Sequence, residues 1–259
     1  MVKKSNSLTS VNPLAEQLKE EYVSLWKDMN LQKLFGRHLK SKDKSEWILE
    51  RDKQKSIPKK IDCKPDEIPY IEISNRMIKE SPILFVGMNP SGTDTASYID
   101  NTNDVFVYDG GSPYYKEMAK FAEKCLGFED GFSELDLFGI VQSSQSIIQQ
   151  DFLERPDCYK GMFDLFLKYV VILQPKVVVV ANAFVRRILC KEFINDPKFT
   201  SFYSTNFSLT DNDQFGGFTF TINEFSTQLY FSSMLSGQRA LDLGSRGNLI
   251  WLVKNYLMS

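Results

Sequence analysis

The chain has 259 residues, of which 42% are hydrophobic and 25% are charged, which is an ordinary composition for a globular protein. It is long enough to bury a large core, and no apolar run approaches the roughly 20 residues that span a bilayer. The net charge of -2 is low for a dedicated nucleic-acid binder, and the basic N-terminus lacks the apolar stretch of a secretory signal. We therefore predict a cytoplasmic monomer that does not bind membranes.

The first 66 residues are predicted to form a helical extension and a basic connector. Apolar residues in 12–29 recur at helical spacing, with Asn12 as N-cap and Pro13 in the first turn. A second short helix is predicted for 31–39. Residues 31–64 hold eleven Lys and Arg against five Asp and Glu, a local charge of +6 that leaves -8 for the rest of the chain. Such a segment can follow phosphates, or it can be a solvated surface stretch.

Residues 67–259 are predicted to form one α/β domain, because strand and helix patterns alternate four times. Strands are predicted at 83–86, 134–141, 177–181 and 227–231, and helices at 112–126, 158–173, 183–192 and 247–257. Parallel neighbours need crossover helices, so we predict a three-layer α/β/α sandwich with a central, mainly parallel, four-stranded sheet. Ligands of such sheets bind at the carboxyl ends of the strands.

The cysteines and the histidine limit the cofactors that the chain can hold. One histidine, His38, excludes a site built from several histidines. The four cysteines form no Cys-x-x-Cys pair, which is typical of buried, reduced thiols, and an iron–sulfur cluster would need distant loops to converge: Cys63, Cys125, Cys158 and Cys190. We expect no metal and no cofactor.

Two motifs follow predicted strands and lie where a ligand would bind. In 87–92 (Gly-Met-Asn-Pro-Ser-Gly) the glycine permits a tight exit from the sheet, and Pro90 sets the turn from which Asn89 presents its carboxamide. In 231–239 (Phe-Ser-Ser-Met-Leu-Ser-Gly-Gln-Arg) a hydroxyl-rich loop carries Leu235, which is predicted to project from it. Each motif alone also fits an ordinary turn, or a polar loop over a buried leucine.

Together and in this order, the two motifs resemble those of the uracil-DNA glycosylase superfamily. The first resembles the water-activating motif in its Gly-x-Asn-Pro form, as found in the mismatch-specific and single-strand-selective branches. The second, through Met-Leu-Ser at 234–236, is similar to the minor-groove loop that inserts a leucine into the duplex. Residues 174–183 and 244–248 are similar to two further family segments, so the resemblance covers roughly residues 80–257.

The resemblance implies a role for each residue of these loops. Asn89 would hold the attacking water, and Leu235 would enter the base stack as a wedge. Phe231 stands where many branches have a histidine that stabilises the leaving base, and Gln142 would replace a base-reading asparagine. The base would be contacted by Met88, Phe106, Tyr108, Phe138, Gln142 and Phe231, and the DNA backbone by Ser91, Ser232, Ser233, Ser236 and Arg239.

The expected function is therefore that of a DNA glycosylase, which hydrolyses the N-glycosidic bond of uracil or another damaged base in DNA. Asn89 is neutral, so it would orient water against a dissociating sugar, while backbone N–H groups would meet the charge on the base. Asp94 and Asp136 are nearby carboxylates, although turn or surface chemistry is the commoner explanation for both. Two alternatives stay open: a catalytically inactive protein of the same fold that binds nucleic acid or a nucleotide, and a protein-interaction module on the same scaffold.

Overall fold

A computed structural model describes residues 12–28, 71–90, 105–108, 113–141, 145–235 and 241–259. Within these ranges it contains six α-helices: α1 (Pro13–Asp28), α2 (Pro113–Leu126), α3 (Gln145–Glu154), α4 (Asp157–Leu173), α5 (Ala183–Leu189) and α6 (Leu243–Met258). The same ranges contain eight strands: β1 (Ile71–Ser74), β2 (Ile83–Gly87), β3 (Val105–Tyr108), β4 (Phe132–Asp136), β5 (Val177–Val180), β6 (Phe207–Asp211), β7 (Phe218–Ile222) and β8 (Phe225–Phe231). The basic segment and the predicted second helix lie outside the described residues.

The main sheet has six strands in the order β4-β2-β5-β8-β7-β6. Strands β4, β2, β5 and β8 pair in parallel, whereas β7 and β6 continue the sheet in antiparallel pairing. This confirms the α/β class, but the sheet is mixed and has two strands more than the four that we predicted.

The additional strands come from the Phe-rich and polar section of the chain. Phe218, Phe220 and Ile222 alternate with threonines along β7, which is the period-two pattern of a half-buried strand. In this hairpin β6 pairs with β7 and β7 pairs with β8, so a polar section adds an antiparallel margin to the parallel strands. This alternation is present in the sequence, but the section contains so many polar residues that we did not predict strands in it.

The parallel strands are buried on both faces, and their side chains alternate between two hydrophobic clusters. The first cluster contains Leu84 and Val86 of β2 and is covered by α1, α3, α4 and α5. The second contains Ile83 and Phe85 and is covered by α2 and α6. Helices therefore lie on each face of the sheet, as the crossover argument requires.

Helix α1 belongs to this core and does not stand apart from it. Its buried residues Ala15, Leu18 and Tyr22 join the first cluster, where α1 contacts α4. The side chain of Asn12 caps α1 by accepting from the backbone N–H of Leu14 at 2.9 Å. Among the described residues, no helix is both long and apolar enough to cross a membrane.

A second, two-stranded sheet lies beside the main one. Strand β1, which we did not predict, pairs in parallel with β3. It also borders the chain after β4: the backbone N–H of Glu72 donates to the carbonyl of Gly139 at 2.9 Å, and Ile71 forms an antiparallel bridge with Ile140. Segment 71–78 thus runs along the edge of the main sheet that β4 forms.

Candidate functional site

The order of the parallel strands creates a crevice at their carboxyl ends. In chain order these strands are β2, β4, β5 and β8, and in space β4 lies on one side of β2 while β5 and β8 lie on the other. The chain direction across the sheet therefore reverses between β2 and β5. Open α/β sheets bind ligands at such a reversal, outside the carboxyl ends of the strands. The residues that follow β2 and β5 are consequently the first candidates for a site.

Asn89 follows β2 at this crevice. Its side chain is 8% exposed, and Nδ2 donates to the carbonyl of Ile140 at 3.2 Å and to that of Pro90 at 2.9 Å. The backbone on either side is also paired, because the N–H of Phe138 donates to the carbonyl of Met88 at 2.9 Å. The carboxamide is therefore held against the chain that follows β4.

Asn182 follows β5 and has a structural role. Its side-chain oxygen accepts from the backbone N–H groups of Phe184 at 2.9 Å and Val185 at 3.1 Å, which caps α5. Its Nδ2 donates to Oε1 of Gln145 at 3.2 Å, at the start of α3. This asparagine therefore holds two helices at the crevice.

The carboxylate of Asp136 lies directly over Gly87 at the end of β2. The two residues are partners in the sheet register, and a Cβ placed on Gly87 would be 2.1 Å from Oδ1 of Asp136. Only a glycine leaves room for the carboxylate here, two residues before Asn89. Gly87 therefore has a second function besides the tight turn that we predicted: it admits an acidic side chain to the strand end.

Three carboxyl groups from two elements meet at this edge. Burial and the neighbouring Glu134 and Glu72 raise the pKa of Asp136 well above its ordinary value. Burial and Glu134 raise the pKa of Glu72 to about 7. Burial raises the pKa of Glu134 as well, although the hydroxyl of Ser74 donates to its Oε2 at 3.2 Å and Arg76 opposes the shift. We call Glu72, Glu134 and Asp136 the carboxyl cluster.

The phenol of Tyr114 on α2 lies within the electrostatic influence of the cluster. Burial, followed by the charges of Glu134 and Asp136, raises the pKa of its phenol. Charges brought together away from water favour the neutral forms, so each member of the carboxyl cluster holds its proton more strongly than an isolated carboxyl group does. Buried acids that stay protonated at neutral pH can donate hydrogen bonds or protons to a ligand.

Two of the residues expected to contact the base are core residues. Met88 is 1% exposed and packs in the first cluster. Phe138 is fully buried, and its ring packs edge-on against Tyr159 with centroids 4.7 Å apart. The first core cluster surrounds both side chains, so neither is open to a base in this structure.

The expected wedge is also buried. Leu235 is 2% exposed and packs in the second cluster together with residues of α2 and α6. It does not project from its loop as we predicted, and the structure agrees with the alternative of a polar loop over a buried leucine. A leucine stabilised in this way cannot enter a duplex without first leaving the core.

The loop after β8 leaves three expected residues accessible. Phe231 is partly exposed, with its ring edge-on to Phe218 at 5.3 Å between centroids. Ser232 is half-buried and donates through Oγ to the carbonyl of Ser233 at 2.7 Å, whereas Ser233 is exposed. These residues lie two strands away from Asn89 along the same edge of the sheet.

The other expected site residues lie outside the described part of the structure or are described only in their backbone. The first group comprises Ser91, Gln142, Ser236 and Arg239. Phe106 and Tyr108 lie on β3, where they pair with Glu72 and Ser74 of β1. Their strand thus runs beside the carboxyl cluster.

Sequence reasoning missed Glu72 and Glu134 and gave little weight to Asp136. The signal was the pair Glu134 and Asp136, since carboxylates two apart on a strand share one face. The contribution of Glu72 could not be foreseen without β1. Within the described residues, no group of three or more His, Cys, Asp or Glu residues could hold a metal ion.

Comparison with known proteins adds no family assignment. No protein-family model matches the chain. No curated protein matches it significantly.

Proposed function

We propose that this protein is a DNA glycosylase with a uracil-DNA-glycosylase-like fold, which hydrolyses the N-glycosidic bond of uracil or another damaged base. The observation that carries the proposal is the position of the Gly-Met-Asn-Pro turn. It follows β2 at the reversal of strand order, with the carboxylate of Asp136 packed against Gly87. The motif resemblance supplies the substrate class.

Asn89 would orient the attacking water. Its Nδ2 donates to the carbonyls of Pro90 and Ile140. These two hydrogen bonds fix the orientation of the amide, with its Oδ1 directed away from both carbonyls. An amide is too weak a base to remove a proton from water unaided, so it can act only once the sugar has begun to carry positive charge. The reaction would therefore be dissociative.

The carboxyl cluster would take the place of the histidine with which many branches of the family stabilise the leaving base. Phe231, at the family's histidine position, has no proton to give to the leaving base. Burial and its acidic neighbours raise the pKa of Asp136 well above its ordinary value, which favours the protonated acid. Its proton would pass to the departing base as the glycosidic bond breaks, and the attacking water would return a proton to the carboxylate. The sum of these steps consumes one water and leaves the enzyme unchanged.

The direct test is a glycosylase assay on DNA containing uracil, hypoxanthine or a mismatch, in single-stranded and double-stranded form. We expect base release by the wild-type protein and a loss of about 100-fold or more in Asn89→Ala, since positioned acid–base groups typically contribute 10²–10⁴-fold. Asp136→Asn keeps the shape but cannot transfer a proton, so we expect a similar loss.

Asn206→Ala is the matched control. Asn206 is exposed and precedes β6, the strand that forms the edge of the sheet opposite β4. It lies at the end of the sheet where β8 begins, away from the carboxyl ends of the parallel strands. This variant should retain full activity. An absence of base release from every substrate, or equal activity in the wild type and Asn89→Ala, would overturn the proposal.

A further inference from the structure

An open cavity of about 380 Å³ lies at the carboxyl end of β8, apart from the turn that carries Asn89. Its volume falls in the range of small-molecule sites, roughly 300–1,000 Å³. Residues of β7, β8, α5 and α6 and of the chain next to these elements line it, among them Arg186, Phe218, Phe231, Ser232, Ser245 and Asn248. The described lining thus combines aromatic rings, one cation and several small polar groups.

Arg186 is the cation of this cavity. Its guanidinium lies 5.8 Å from the centroid of the Phe231 ring, and no described carboxylate lies within ion-pair distance of it. The neighbouring Arg187, by contrast, pairs with Glu192 at 2.9 Å. The Cys190 thiol beside Arg186 does not neutralise it, because burial raises the pKa of that thiol. An unneutralised arginine at the wall of a cavity favours an anionic ligand.

The aromatic part of the lining offers a surface for a planar group. Phe218 and Phe231 pack edge-on with their centroids 5.3 Å apart, and both rings are only partly buried. The hydroxyl oxygens of Ser232 and Ser245 can accept hydrogen bonds, since their hydrogens are donated to Ser233 and Asp242, and the carboxamide of Asn248 can donate and accept. Any nucleobase can stack on such rings, because every base has a π-face.

One wall of the cavity is held rigidly. Gly217 has a φ of +70°, and a Cβ there would meet the carbonyl oxygen of Leu229 at 2.6 Å. The buried side chain of Gln228 donates to the carbonyl of Gly216 at 2.6 Å, and the backbone N–H of Asn212 donates to that of Gly217 at 3.1 Å. The turn before β7 is thus fixed to β8, so the cavity exists before any ligand enters.

We propose that this cavity binds one nucleotide, with the base against Phe218 and Phe231 and the phosphate on Arg186. The ligand class follows from the pairing of an aromatic surface with an unneutralised guanidinium in a single small cavity. A free nucleoside monophosphate and one unit of single-stranded DNA share this chemistry. The inference does not rest on bond cleavage at Asn89, although Phe231 is also one of the residues expected to contact a base in the proposed glycosylase.

Calorimetric titration of the full-length protein tests the proposal. The probes are deoxyadenosine and thymidine 5′-monophosphates, the two nucleosides without phosphate, and a five-residue oligothymidylate. We expect at least one monophosphate to bind about tenfold or more tightly than its nucleoside. The nucleoside lacks the phosphate, so it cannot accept a charge-assisted hydrogen bond from Arg186. Tighter binding of the oligonucleotide would identify DNA as the source, and tighter binding of the monophosphate a free nucleotide.

Arg186→Gln and Arg187→Gln form the matched pair of variants, since both arginines are exposed and lie on α5. Arg186→Gln should weaken phosphate-bearing ligands about tenfold and leave the nucleosides unchanged, whereas Arg187→Gln should bind as the wild type does. Asn248→Phe, on the exposed face of α6, should fill the cavity and abolish binding. Equal effects of the two arginine variants, unchanged binding in Asn248→Phe, or no binding of any probe by the wild type would overturn the proposal. Loss of glycosylase activity in Asn89→Ala bears only on the proposed function.

Discussion

At the residue scale, the carboxyl cluster shows how one glycine changes the chemistry of a strand end. Without a side chain at Gly87, the carboxylate of Asp136 can lie over β2. There it meets Glu134 from its own strand and Glu72 from β1. Carboxylates that lie close together and are partly shielded from solvent raise one another's pKa, so these three groups bind protons more strongly than isolated carboxyl groups do.

Glu72 should make the stability of the protein depend on pH. Its pKa is about 7 in the folded protein against an ordinary value of 4.5, so the folded state binds more protons between these values. The free energy of unfolding should therefore fall as the pH rises from about 4.5 to about 7, by roughly 1–3 kcal/mol from this group. Urea unfolding of the wild type and of Glu72→Gln at pH 5 and pH 8 measures the effect.

Glu72→Gln imitates the protonated carboxyl group, so it should be more stable than the wild type at pH 8 and similar to it at pH 5. Glu224→Gln serves as the control, because Glu224 is exposed in the turn between β7 and β8. A wild type and a Glu72→Gln variant that differ equally at both pH values would show that Glu72 does not titrate in this range.

At the element scale, the β6–β7 hairpin is joined to the parallel strands by buried polar contacts as well as by its ladder. Gln228 of β8 is 1% exposed and accepts from Nδ2 of Asn212 at 2.8 Å while donating to the carbonyl of Gly216. Tyr230 donates through its hydroxyl to the carbonyl of Phe215 at 3.2 Å. These contacts define the turn that forms one wall of the cavity.

Gln228→Leu should lower the free energy of unfolding by about 1–3 kcal/mol, because it leaves the part-buried carbonyl of Gly216 and the side-chain amide of Asn212 without their partner. It should also loosen the turn before β7. Hydrogen exchange at the backbone N–H of Asn212, which donates to the carbonyl of Gly217, should then become faster. Thr219→Val, at a partly exposed position of β7 on the same hairpin, provides the comparison and should change stability by less than about 0.5 kcal/mol. Unchanged exchange in Gln228→Leu would exclude this role.

At the scale of the whole molecule, an aromatic group in the first cluster joins α3 to α4, α5 and the chain that follows β4 and α5. Phe152 of α3 is its centre and is fully buried. Its ring contacts rings from α4, α5 and the segments before and after them: Phe138, Tyr159, Phe184, Phe193, Phe199 and Phe202. Removing this ring would leave a cavity at the centre of this aromatic group.

Phe152→Ala should therefore lower the free energy of unfolding by about 3–5 kcal/mol, as for other buried aromatic rings. Phe128 lies 54% exposed after α2, so Phe128→Ala should change stability by less than about 0.5 kcal/mol. Thermal unfolding of both variants measures the contrast. Similar losses in the two variants would mean that this aromatic group does not stabilise the fold.

The local patterns of the sequence determined most of the helices, the place of each parallel strand in the chain and the position of Asn89 after β2, although β4 ends at Asp136 and not at 141 as we predicted. Periodicity, the proline at the first turn of α1 and the Gly-Met-Asn-Pro turn act within a few residues, so they are readable without the fold. What the tertiary structure decided depends on residues far apart in the chain. Burial of Phe138 and Leu235, the addition of the β6–β7 hairpin, and the approach of Glu72 to Asp136 arise only when distant segments pack. Packing and mutual charge repulsion are properties of that assembly, and no local pattern encodes them.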